Sequence, residues 1–484
     1  MNQRRSLHLI VREIVSATGG SLRGAGMEGA CEGISTDSRH VIPGNLFVAL
    51  RGDTYDGHEY AAESVDRGAA GILIHKGRED IIRRLSRPVP VIIVADTLEA
   101  LGDIACFWRM QFPVPVIAVT GSSGKTTTKD MTAAIMERKM NVLRSRGNFN
   151  NLVGLPLSLL EMRHDHDAVI VEMGTNHPGE IGRLAAIARP TAGVVTNVGP
   201  AHLEGFGTIA AVGEEKCSLF SRLEAGGTAV INADDDELAK FAQKLSGPVV
   251  TFGIRRSANV RAGAIEPQGA AGIRFSLEMG GTSRDMYLPL VGLHNVYNAL
   301  AAAAASGVLG AGPDDVYEGL KDFTPPSGRM SITLLNNGVY LVDDAYNANP
   351  ASMKEALETL RQLRGGCSSY VIMGDMLELG SRGEALHEEI GEICGATGVR
   401  KLLHRGDYSS AVIRGAGKAG MTADRFIAAG EPDAIAAEME TYIERGDWIL
   451  VKGSRKMKME RYVEAFIRKI GIDESRGRGL YIRN

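Results

Sequence analysis

The stretch VIAVTGSSGKTTTKD, residues Val116–Asp130, decides the fold of this chain. An apolar run typical of a strand ends in a tight glycine turn, and Lys125 and Thr126 then begin a helical pattern. Glycines let backbone N–H groups converge on phosphate oxygens, and the helix N-terminus adds partial positive charge. The strict phosphate-loop pattern has a glycine where Val119 stands, so this loop would be one residue tighter. It predicts a nucleotide site with Lys125 on the outer phosphates and the Thr126 hydroxyl on Mg²⁺.

The composition is that of an ordinary globular protein. The chain has 484 residues, of which 44% are hydrophobic and 23% charged. At about 150 residues per domain, this length suggests three domains, each large enough to bury its own core. The formal net charge is -4, and so slight an acidity argues against a nucleic-acid binder held by a basic surface.

The cysteines and the N-terminus point to a reducing compartment. The five cysteines lie far apart and form no C-x-x-C pair, so metal-ligand and redox spacings are missing. The beginning, MNQRRSLHLIVREIVSATGG, has charges among its apolar positions, and no run of about 18 apolar residues follows anywhere. We therefore expect a soluble cytoplasmic protein without membrane insertion.

Two proline-containing breaks, RMQFPVPV and DFTPPSGRM, predict domains at 1–110, 111–326 and 327–484. Apolar runs alternate with amphipathic runs in the last two segments, which predicts mostly parallel sheets with crossover helices and an α/β fold. The first segment has short strands, NLFVAL, GILIH and VPVIIVAD, around one plausible helix, GHEYAAESVDRGA. It predicts a smaller α/β module, followed by a central phosphate-loop domain and a Rossmann-like C-terminal domain.

Ligands of open parallel sheets bind beyond the carboxyl ends of the strands, so the residues there are candidates. Glu172 ends the run DAVIVEMG and fits the acid that holds the metal of a phosphate-loop site. His202 follows the run TNVGPAHLEGFGT, where it is either a hydrogen-bonded loop histidine or a metal ligand. Lys216, in GEEKCSLF, is by its surroundings a solvated or salt-bridged lysine.

The third segment has further candidates. Arg329, in SGRM, could reach phosphate from the domain joint, and the strand-end pair Asp343 and Asp344 either caps a loop or binds a hydroxyl group or a metal. Asn349 looks like a helix N-cap. The basic loop in VKGSRKMKMERYVEAF suits a carboxylate or a phosphate, or is simply a solvated helix start.

Two G-x-G-x-x-G matches, GAGMEG from Gly24 and GAGKAG from Gly415, join no clear strand to a helix. Glycine is common enough in this chain for such matches to arise by chance, and we interpret both as loops.

The ordered set of motifs resembles the Mur ligases of peptidoglycan synthesis. It comprises TGSSGKTT, GNFNNLVGLP, VEMGTNHPGEI, TNVGPAHLEGFGT, GLHNVYNALAA, SGRM, DDAYNANPASM, GDMLELG and VKGSRKMKME. The resemblance covers essentially the whole chain, because STDSRHVIPGNLFVALRGDTYDGHEYA is similar to the uridine-nucleotide-binding domain of the family. AHLEGFGT and DDAYNANP are similar to the members that add D-alanyl-D-alanine to a UDP-muramoyl tripeptide.

The resemblance implies ATP-driven amide synthesis through an acyl phosphate, with two Mg²⁺ ions. It places Thr126 and Glu172 on one ion, and His202 on the second with Lys216, which would carry a CO₂-derived carbamate. It implies nucleotide contacts from Thr120, Gly121, Ser122, Ser123, Gly124, Lys125, Thr126, Thr127, Asn295 (adenine), Arg329 (γ-phosphate) and Asp344 (ribose). It implies substrate contacts from Ser38 (uridine), Asn148, Asn151, Tyr346, Asn349 and Lys456.

The implied partners are small molecules, and we expect a monomer. Another Mur-type ligase that adds a different amino acid stays an alternative, as does a regulatory ATPase with a phosphate loop. The chain has no N-K-x-D guanine motif, and a switch protein has no need for strand-end acids and basic residues in a third domain.

Overall fold

The computed structural model describes residues 7–24, 26–52 and 54–473. The outer ends of the predicted first and third domains, residues 1–6 and 474–484, lie outside the described residues. Three larger sheets follow one another along the chain, and the predicted α/β fold class is confirmed. The boundaries after residues 110 and 326 stay predictions.

The N-terminal sheet has five strands in the order β2-β7-β6-β5-β4, with β2 antiparallel and the others parallel, and β1 pairs with β3 beside it. The strands are β1 (Leu9–Ile10), β2 (Ser21–Arg23), β3 (Ala30–Cys31), β4 (Gly33–Ser35), β5 (Asn45–Val48), β6 (Gly71–His75) and β7 (Val91–Val94). The helices are α1 (Val11–Thr18), α2 (Ala61–Asp66) and α3 (Thr97–Arg109). The prediction of a single helix in this segment was wrong, because α1 and α3 are helices as well.

The central sheet has nine strands in the order β16-β15-β14-β13-β12-β11-β8-β10-β9. The strands are β8 (Val116–Thr120), β9 (Val142–Arg144), β10 (Ala168–Glu172), β11 (Ala192–Val195), β12 (Thr228–Asn232), β13 (Val249–Gly253), β14 (Val260–Pro267), β15 (Ile273–Met279) and β16 (Thr282–Leu288). The helices are α4 (Lys125–Met136), α5 (Gly154–Leu159), α6 (Glu180–Ala188), α7 (Leu203–Phe206), α8 (Ile209–Cys217), α9 (Asp236–Ala242), α10 (Leu293–Val308) and α11 (Pro313–Leu320). The strands from β9 to β14 run parallel, so the carboxyl ends of β10, β8, β11 and β12 lie side by side.

The C-terminal sheet has six strands in the order β17-β18-β22-β19-β20-β21, and β17 is antiparallel to its neighbour. The strands are β17 (Ser331–Leu334), β18 (Tyr340–Asp344), β19 (Ser369–Gly374), β20 (Lys401–Arg405), β21 (Phe426–Ala428) and β22 (Trp448–Lys452). The helices are α12 (Pro350–Arg364), α13 (Gly383–Ala396), α14 (Ser409–Lys418), α15 (Pro432–Glu440) and α16 (Glu460–Ile470).

The interpretation of GAGKAG as a loop was wrong, because its first four residues end α14. Gly415 faces α13 so closely that a Cβ atom would lie 1.8 Å from the Glu388 carbonyl oxygen. On α13, a Cβ atom at Gly391 would lie 2.1 Å from the Val412 carbonyl oxygen. These glycines therefore permit a close helix crossing rather than a turn.

Helix α3 joins the first two domains through a shared core. Leu101, Ile104 and Trp108 belong to the same buried cluster as Leu155 of α5 and Ile187 of α6. The N-terminal domain also has a buried cluster of its own, which includes Phe47 and Ile72, so the core around α3 is an additional one that it shares with the central domain. Within the described residues, no helix is long and apolar enough to cross a membrane.

Candidate functional site

A cleft of about 740 Å³ lies between the carboxyl ends of the central strands and the C-terminal domain. Its walls include Ser122–Thr127 from the phosphate loop, Glu172, His202, Arg329 and residues of the last domain such as Tyr346. The strand order explains this grouping, because β10, β8 and β11 are neighbours and end at one edge. The predicted strand-end side chains therefore meet across two domains.

Two glycines shape the phosphate loop. Gly121 has φ +150 and Gly124 has φ +76, and a Cβ atom would lie 1.8 Å from Thr196 Oγ1 or 2.2 Å from Asn298 Oδ1, respectively. Neither position tolerates a side chain without local movement. Ser123 N–H donates to Asn197 Oδ1 at 3.0 Å, which holds the loop against the end of β11. The first N–H groups of α4 need partners from outside the helix, and phosphate oxygens would satisfy them.

Lys125 is the first residue of α4 and folds back onto the loop. Its ammonium group donates to the Gly121 carbonyl oxygen at 2.9 Å. Burial lowers the pKa of Lys125, the charge of Glu172 opposes that shift, and the charge of Arg329 adds to it. Two cations close together near one carboxylate make a site for a polyanion.

Glu172 is almost fully buried at the end of β10. The Thr126 hydroxyl donates to its Oε2 at 2.7 Å, and the Asn150 amide donates to its Oε1 at 2.8 Å. Hydroxyl and carboxylate oxygens are the ligands that Mg²⁺ prefers. The donor set fits the predicted metal site, and Asn150 fixes the orientation of the carboxylate.

Lys216 lies on α8 with 2% of its surface exposed, so the solvated alternative was wrong. Burial lowers the pKa of Lys216 to about 7, and the positive charge of Lys125 acts in the same direction. Unlike Lys125, Lys216 is not among the residues that line the cleft. About half of an amine with this pKa is neutral near pH 7, and the neutral form is a nucleophile.

His202 occupies a left-handed backbone conformation with φ 54, just before α7. Its Nδ1 lies 2.6 Å from Glu378 Oε2 of the C-terminal domain, and both side chains line the cleft. The loop-histidine alternative is correct as far as the hydrogen bond goes. The metal-ligand role of His202 stays a prediction. Nε2 of the same ring is the nitrogen that would bind the metal.

One part of the cleft wall, where we predict the adenine contact of Asn295, is built from amides and an acid. Asn295 is buried and bonded to Val291 and Asn298. Asp234, which we did not predict, accepts hydrogen bonds from Tyr297 and from backbone N–H groups. Burial opposes its charge, but these bonds outweigh it and lower the pKa of Asp234. Asn295 and Asp234 both line the cleft.

Arg329 connects the C-terminal domain to the phosphate loop. Its Nη2 donates to Thr126 Oγ1 at 3.1 Å, and its guanidinium lies 4.1 Å from the centre of the Tyr346 ring. Arg455 lies 5.6 Å from the same ring centre. The ring therefore holds Arg329 against the phosphate loop, and its contact with the γ-phosphate stays a prediction.

The remaining predicted residues of the C-terminal domain also reach the cleft. Asp344 pairs with Lys452 at 2.5 Å and accepts a hydrogen bond from Met330 N. Asn349 caps α12 as predicted, and its amide donates to the Ser122 carbonyl oxygen at 3.3 Å. Lys456 lines the cleft. The domain thus contacts the phosphate loop through the side chains of Arg329 and Asn349.

The other predicted residues differ in whether they line the cleft. Asn148 and Asn151 line the cleft, and Asn151 also caps α5 by accepting from Gly154 N at 2.8 Å. Thr120 is fully buried and, like Gly121, lies behind the lining residues. Ser38 is buried in the N-terminal domain and does not line the cleft.

Three family models match the chain. They are the Mur ligase family catalytic domain at residues 31–109, the Mur ligase middle domain at 119–306, and the Mur ligase glutamate ligase domain at 328–455. The UDP-N-acetylmuramoyl-tripeptide--D-alanyl-D-alanine ligase of Escherichia coli (strain K12) is 36% identical over 95% of this chain and 98% of its own length. The chain belongs to the Mur ligase family.

Solved structures agree with this membership. The crystal structure of MurF from Acinetobacter baumannii covers 96% of this Mur ligase chain and is itself covered to 100%, with 30% identity and a TM-score of 0.87. The MurF ligase from Thermotoga maritima in complex with ADP matches with 27% identity and a TM-score of 0.78, over 90% of this chain and 97% of its own. The three-domain architecture is therefore that of a Mur ligase.

Sequence reasoning missed several residues that the Mur ligase fold brings to the cleft. Asn150 stands in GNFNN between the two asparagines that we selected, and Glu378 stands in GDMLELG. Both motifs were recognised, but neither pattern indicates which position faces the cleft. Lys452 was predicted as part of the basic loop in VKGSRKMKMERYVEAF, but it is the last residue of β22 and pairs with Asp344 in the sheet.

Proposed function

We propose that the chain is an ATP-dependent ligase that joins D-alanyl-D-alanine to a UDP-N-acetylmuramoyl tripeptide, in the synthesis of peptidoglycan precursors. The names of the full-length relatives support this choice of substrates. One observation carries the chemistry, namely that the phosphate loop, Glu172 and the Arg329 of another domain line a single cleft.

The reaction first makes the terminal carboxylate of the tripeptide reactive. A carboxylate is a poor electrophile, because oxide would have to leave, whereas an acyl phosphate loses phosphate readily. The carboxylate oxygen attacks the γ-phosphorus of ATP, and ADP leaves. The amine of the dipeptide then attacks the acyl carbon, phosphate departs with the bonding electrons, and the amine loses a proton to give the amide.

The residues of this chain serve that sequence by charge and by position. Lys125 and Arg329 balance the negative charge that moves from the γ-phosphate to ADP. Arg329 belongs to the C-terminal domain, so it reaches the phosphate loop when the cleft is closed. Closure of the cleft also keeps water away from the acyl phosphate. Asn349 and Lys456 lie where they could contact the peptide carboxylate or the dipeptide.

Thr126 and Glu172 would hold one Mg²⁺, which supplies charge neutralisation to the phosphates. His202 and a carbamate on Lys216 would hold a second. The depressed pKa of Lys216 supports the carbamate, because only a neutral amine adds to CO₂. The carbamate replaces a buried cation by an anion, and that anion suits a metal ion next to phosphates.

Several further assignments belong to the same proposal. The N-terminal domain with Ser38 would bind the uridine nucleotide, and residues 325–328 would form the hinge for closure of the third domain. We propose a cytoplasmic monomer, and the five cysteines, which are all unpaired, fit a reducing compartment. Solution scattering that shows no compaction with an ATP analogue and the UDP substrate would contradict the hinge.

Phosphate release from ATP tests the function. We expect release to require both the UDP-muramoyl tripeptide and D-alanyl-D-alanine, with a product that mass spectrometry shows to be longer by the dipeptide. Replacing D-alanyl-D-alanine by single amino acids is the control for other Mur-type ligases. Release that ignores the dipeptide would refute the assignment, and release without any UDP substrate would favour a regulatory ATPase.

A further inference from the structure

His202 and Glu378 meet across the interface between the central and C-terminal domains. The distance from Nδ1 to Oε2 is 2.6 Å. The Oε2 atom belongs to the Glu378 carboxylate, which lines the cleft together with the His202 ring. An ionised carboxylate only accepts hydrogen bonds, so Nδ1 carries the proton, and in the neutral ring Nε2 keeps its lone pair.

Both residues have an unusual backbone. His202 has φ 54 and Glu378 has φ 64, and they are two of six non-glycine residues with positive φ in the described part of the chain. Side chains other than glycine avoid this region, so the surrounding structure must hold them there. Two such residues that bond to each other across an interface indicate that both loops are shaped for this contact.

The loop that carries Glu378, residues 375–380, is held from its own domain. Met376 N donates to His387 Nε2 at 2.9 Å, and Leu377 N donates to Ser454 Oγ at 2.8 Å. The Asp375 carboxylate accepts from the backbone N–H of residue 407 at 2.8 Å. Successive residues before Glu378 are therefore fixed, and the carboxylate is presented from a rigid support.

This support includes the buried cluster of Asp375, His387 and His404, whose possible ligand atoms lie within 4.8 Å of one another. His387 already uses both ring nitrogens, because Nδ1 bonds to the Gly383 carbonyl oxygen at 2.7 Å and Nε2 accepts from Met376. A ring with both nitrogens engaged has no lone pair left for an ion. The cluster therefore holds the loop rather than a metal.

The central domain fits onto the loop beyond the side-chain pair. Glu204 N donates to the Glu378 carbonyl oxygen at 3.1 Å. Leu203 belongs to the same buried apolar cluster as Met376 and Leu379 of the C-terminal domain. The segment that follows His202 is thus docked by backbone and apolar contacts in the closed arrangement.

We propose that Glu378 is a positioning residue for His202, which sets its tautomer and orientation so that Nε2 is available to the metal of the cleft. Because Glu378 belongs to the C-terminal domain, His202 is oriented only when the two domains are closed. Domain closure and completion of the metal site then become a single event. The inference rests on the proposed function, in which His202 serves the second Mg²⁺.

Three variants test the proposal. Glu378→Ala removes the acceptor, and Glu378→Gln removes the charge but keeps an oxygen that can accept from Nδ1–H. Glu384→Gln is the matched control, since Glu384 is an exposed carboxylate of the same domain that pairs with Arg414 at 2.5 Å. Far-UV circular dichroism and thermal unfolding verify that each variant folds.

The first measurement needs no turnover. Electron paramagnetic resonance counts the Mn²⁺ ions that bind to the protein with a non-hydrolysable ATP analogue. Loss of a carboxylate that orients a metal-bound histidine typically weakens metal binding or activity by about 10- to 100-fold. We expect a loss of this size for one class of Mn²⁺ in Glu378→Ala, a smaller loss in Glu378→Gln, and wild-type binding in Glu384→Gln.

The second measurement is phosphate release at increasing Mg²⁺. We expect Glu378→Ala to lower kcat by about 10- to 100-fold and to raise the Mg²⁺ needed for half-maximal rate, with KM for ATP within about threefold of wild type. A lower kcat with unchanged Mn²⁺ binding would overturn the positioning role and leave only a domain contact. If the wild type released no phosphate in response to the dipeptide, the proposed function would fail, while Mn²⁺ binding would still decide the role of Glu378.

Discussion

Carbamylation of Lys216 is the sharpest chemical prediction of the structure. With a pKa of about 7, about half of the Lys216 side chains are neutral at pH 7, compared with roughly 0.03% for a lysine of ordinary pKa. The free amine is thus enriched on the order of 10³-fold. Its nitrogen attacks the carbon of CO₂, an N–C bond forms, and one proton is released to give the carbamate anion.

The pH dependence follows from the direction of the shift. At pH values above the pKa in the folded protein, the neutral amine predominates. The fraction of Lys216 that can react with CO₂ therefore rises from about 10% at pH 6 to about 90% at pH 8. We expect CO₂-depleted enzyme to be weakly active, and bicarbonate to restore its activity further at pH 8 than at pH 6. A ¹³C carbamate signal after addition of ¹³C-bicarbonate checks the modification directly.

Two substitutions separate the carbamate from general effects. Lys216→Met should remove the ¹³C signal and reduce the activity by at least about 100-fold, since the proposed ligand of the second Mg²⁺ is lost. Lys240→Met is the matched control, because Lys240 is an exposed lysine paired with Glu237 at 2.6 Å. Wild-type activity in Lys216→Met, or the absence of a carbamate signal at pH 8, would refute the reasoning.

The same shift predicts the stability of the CO₂-depleted protein. The unfolded chain binds the Lys216 proton up to a pH of about 10.5, whereas the folded chain releases it at about 7. The free energy of unfolding should therefore rise with pH between these values by up to about 1.4 kcal/mol per pH unit. Urea unfolding of Lys216→Met should lack this increase, and equal slopes in both proteins would show that the buried amine is charged.

Three substitutions at the cleft give further predictions. Thr126→Val keeps the shape of the side chain but removes the hydroxyl that donates to Glu172, so we expect kcat to fall by about 100-fold with normal thermal unfolding, and a fall below threefold would exclude a metal role. Gly124→Ala places a Cβ atom in a backbone with φ +76, and calorimetry should show ATP binding at least about tenfold weaker. Tyr346→Leu removes the ring that lies 4.1 Å from Arg329, and KM for ATP should rise about three- to tenfold, while an unchanged KM would mean that the ring does not hold the arginine.

The phosphate loop and the strand-end acids were predictable because their physics is local. A strand, a glycine turn and a helix start within fifteen residues fix the position of Lys125, and parallel strands bring Glu172 to the same edge. The domain joints after residues 110 and 326 stay predictions, which rest on the prolines that interrupt both kinds of periodic pattern.

The features that could not be predicted from the sequence depend on contacts between residues far apart in the chain. Glu378 and His202 are 176 residues apart, and the pair exists only because two domains close on each other. The burial of Lys216 depends on what covers α8, which amphipathic periodicity does not state. GAGKAG was misplaced because glycine favours turns locally, whereas at Gly415 the approach of a neighbouring helix decides.

The core shared through α3 bears on how such ligases could be recombined. Trp108 donates to the Met162 carbonyl oxygen at 3.2 Å, and Arg109 donates to the Ala188 carbonyl oxygen at 3.1 Å. Helix α3 is therefore hydrogen-bonded to the central domain, and a domain exchange at residue 110 would break these bonds. A chimaera that takes a foreign nucleotide-binding module should therefore be joined at 95–96, between β7 and α3. In such a hybrid α3 keeps its hydrogen bonds to the central domain, and α1, α2 and the N-terminal sheet are exchanged together.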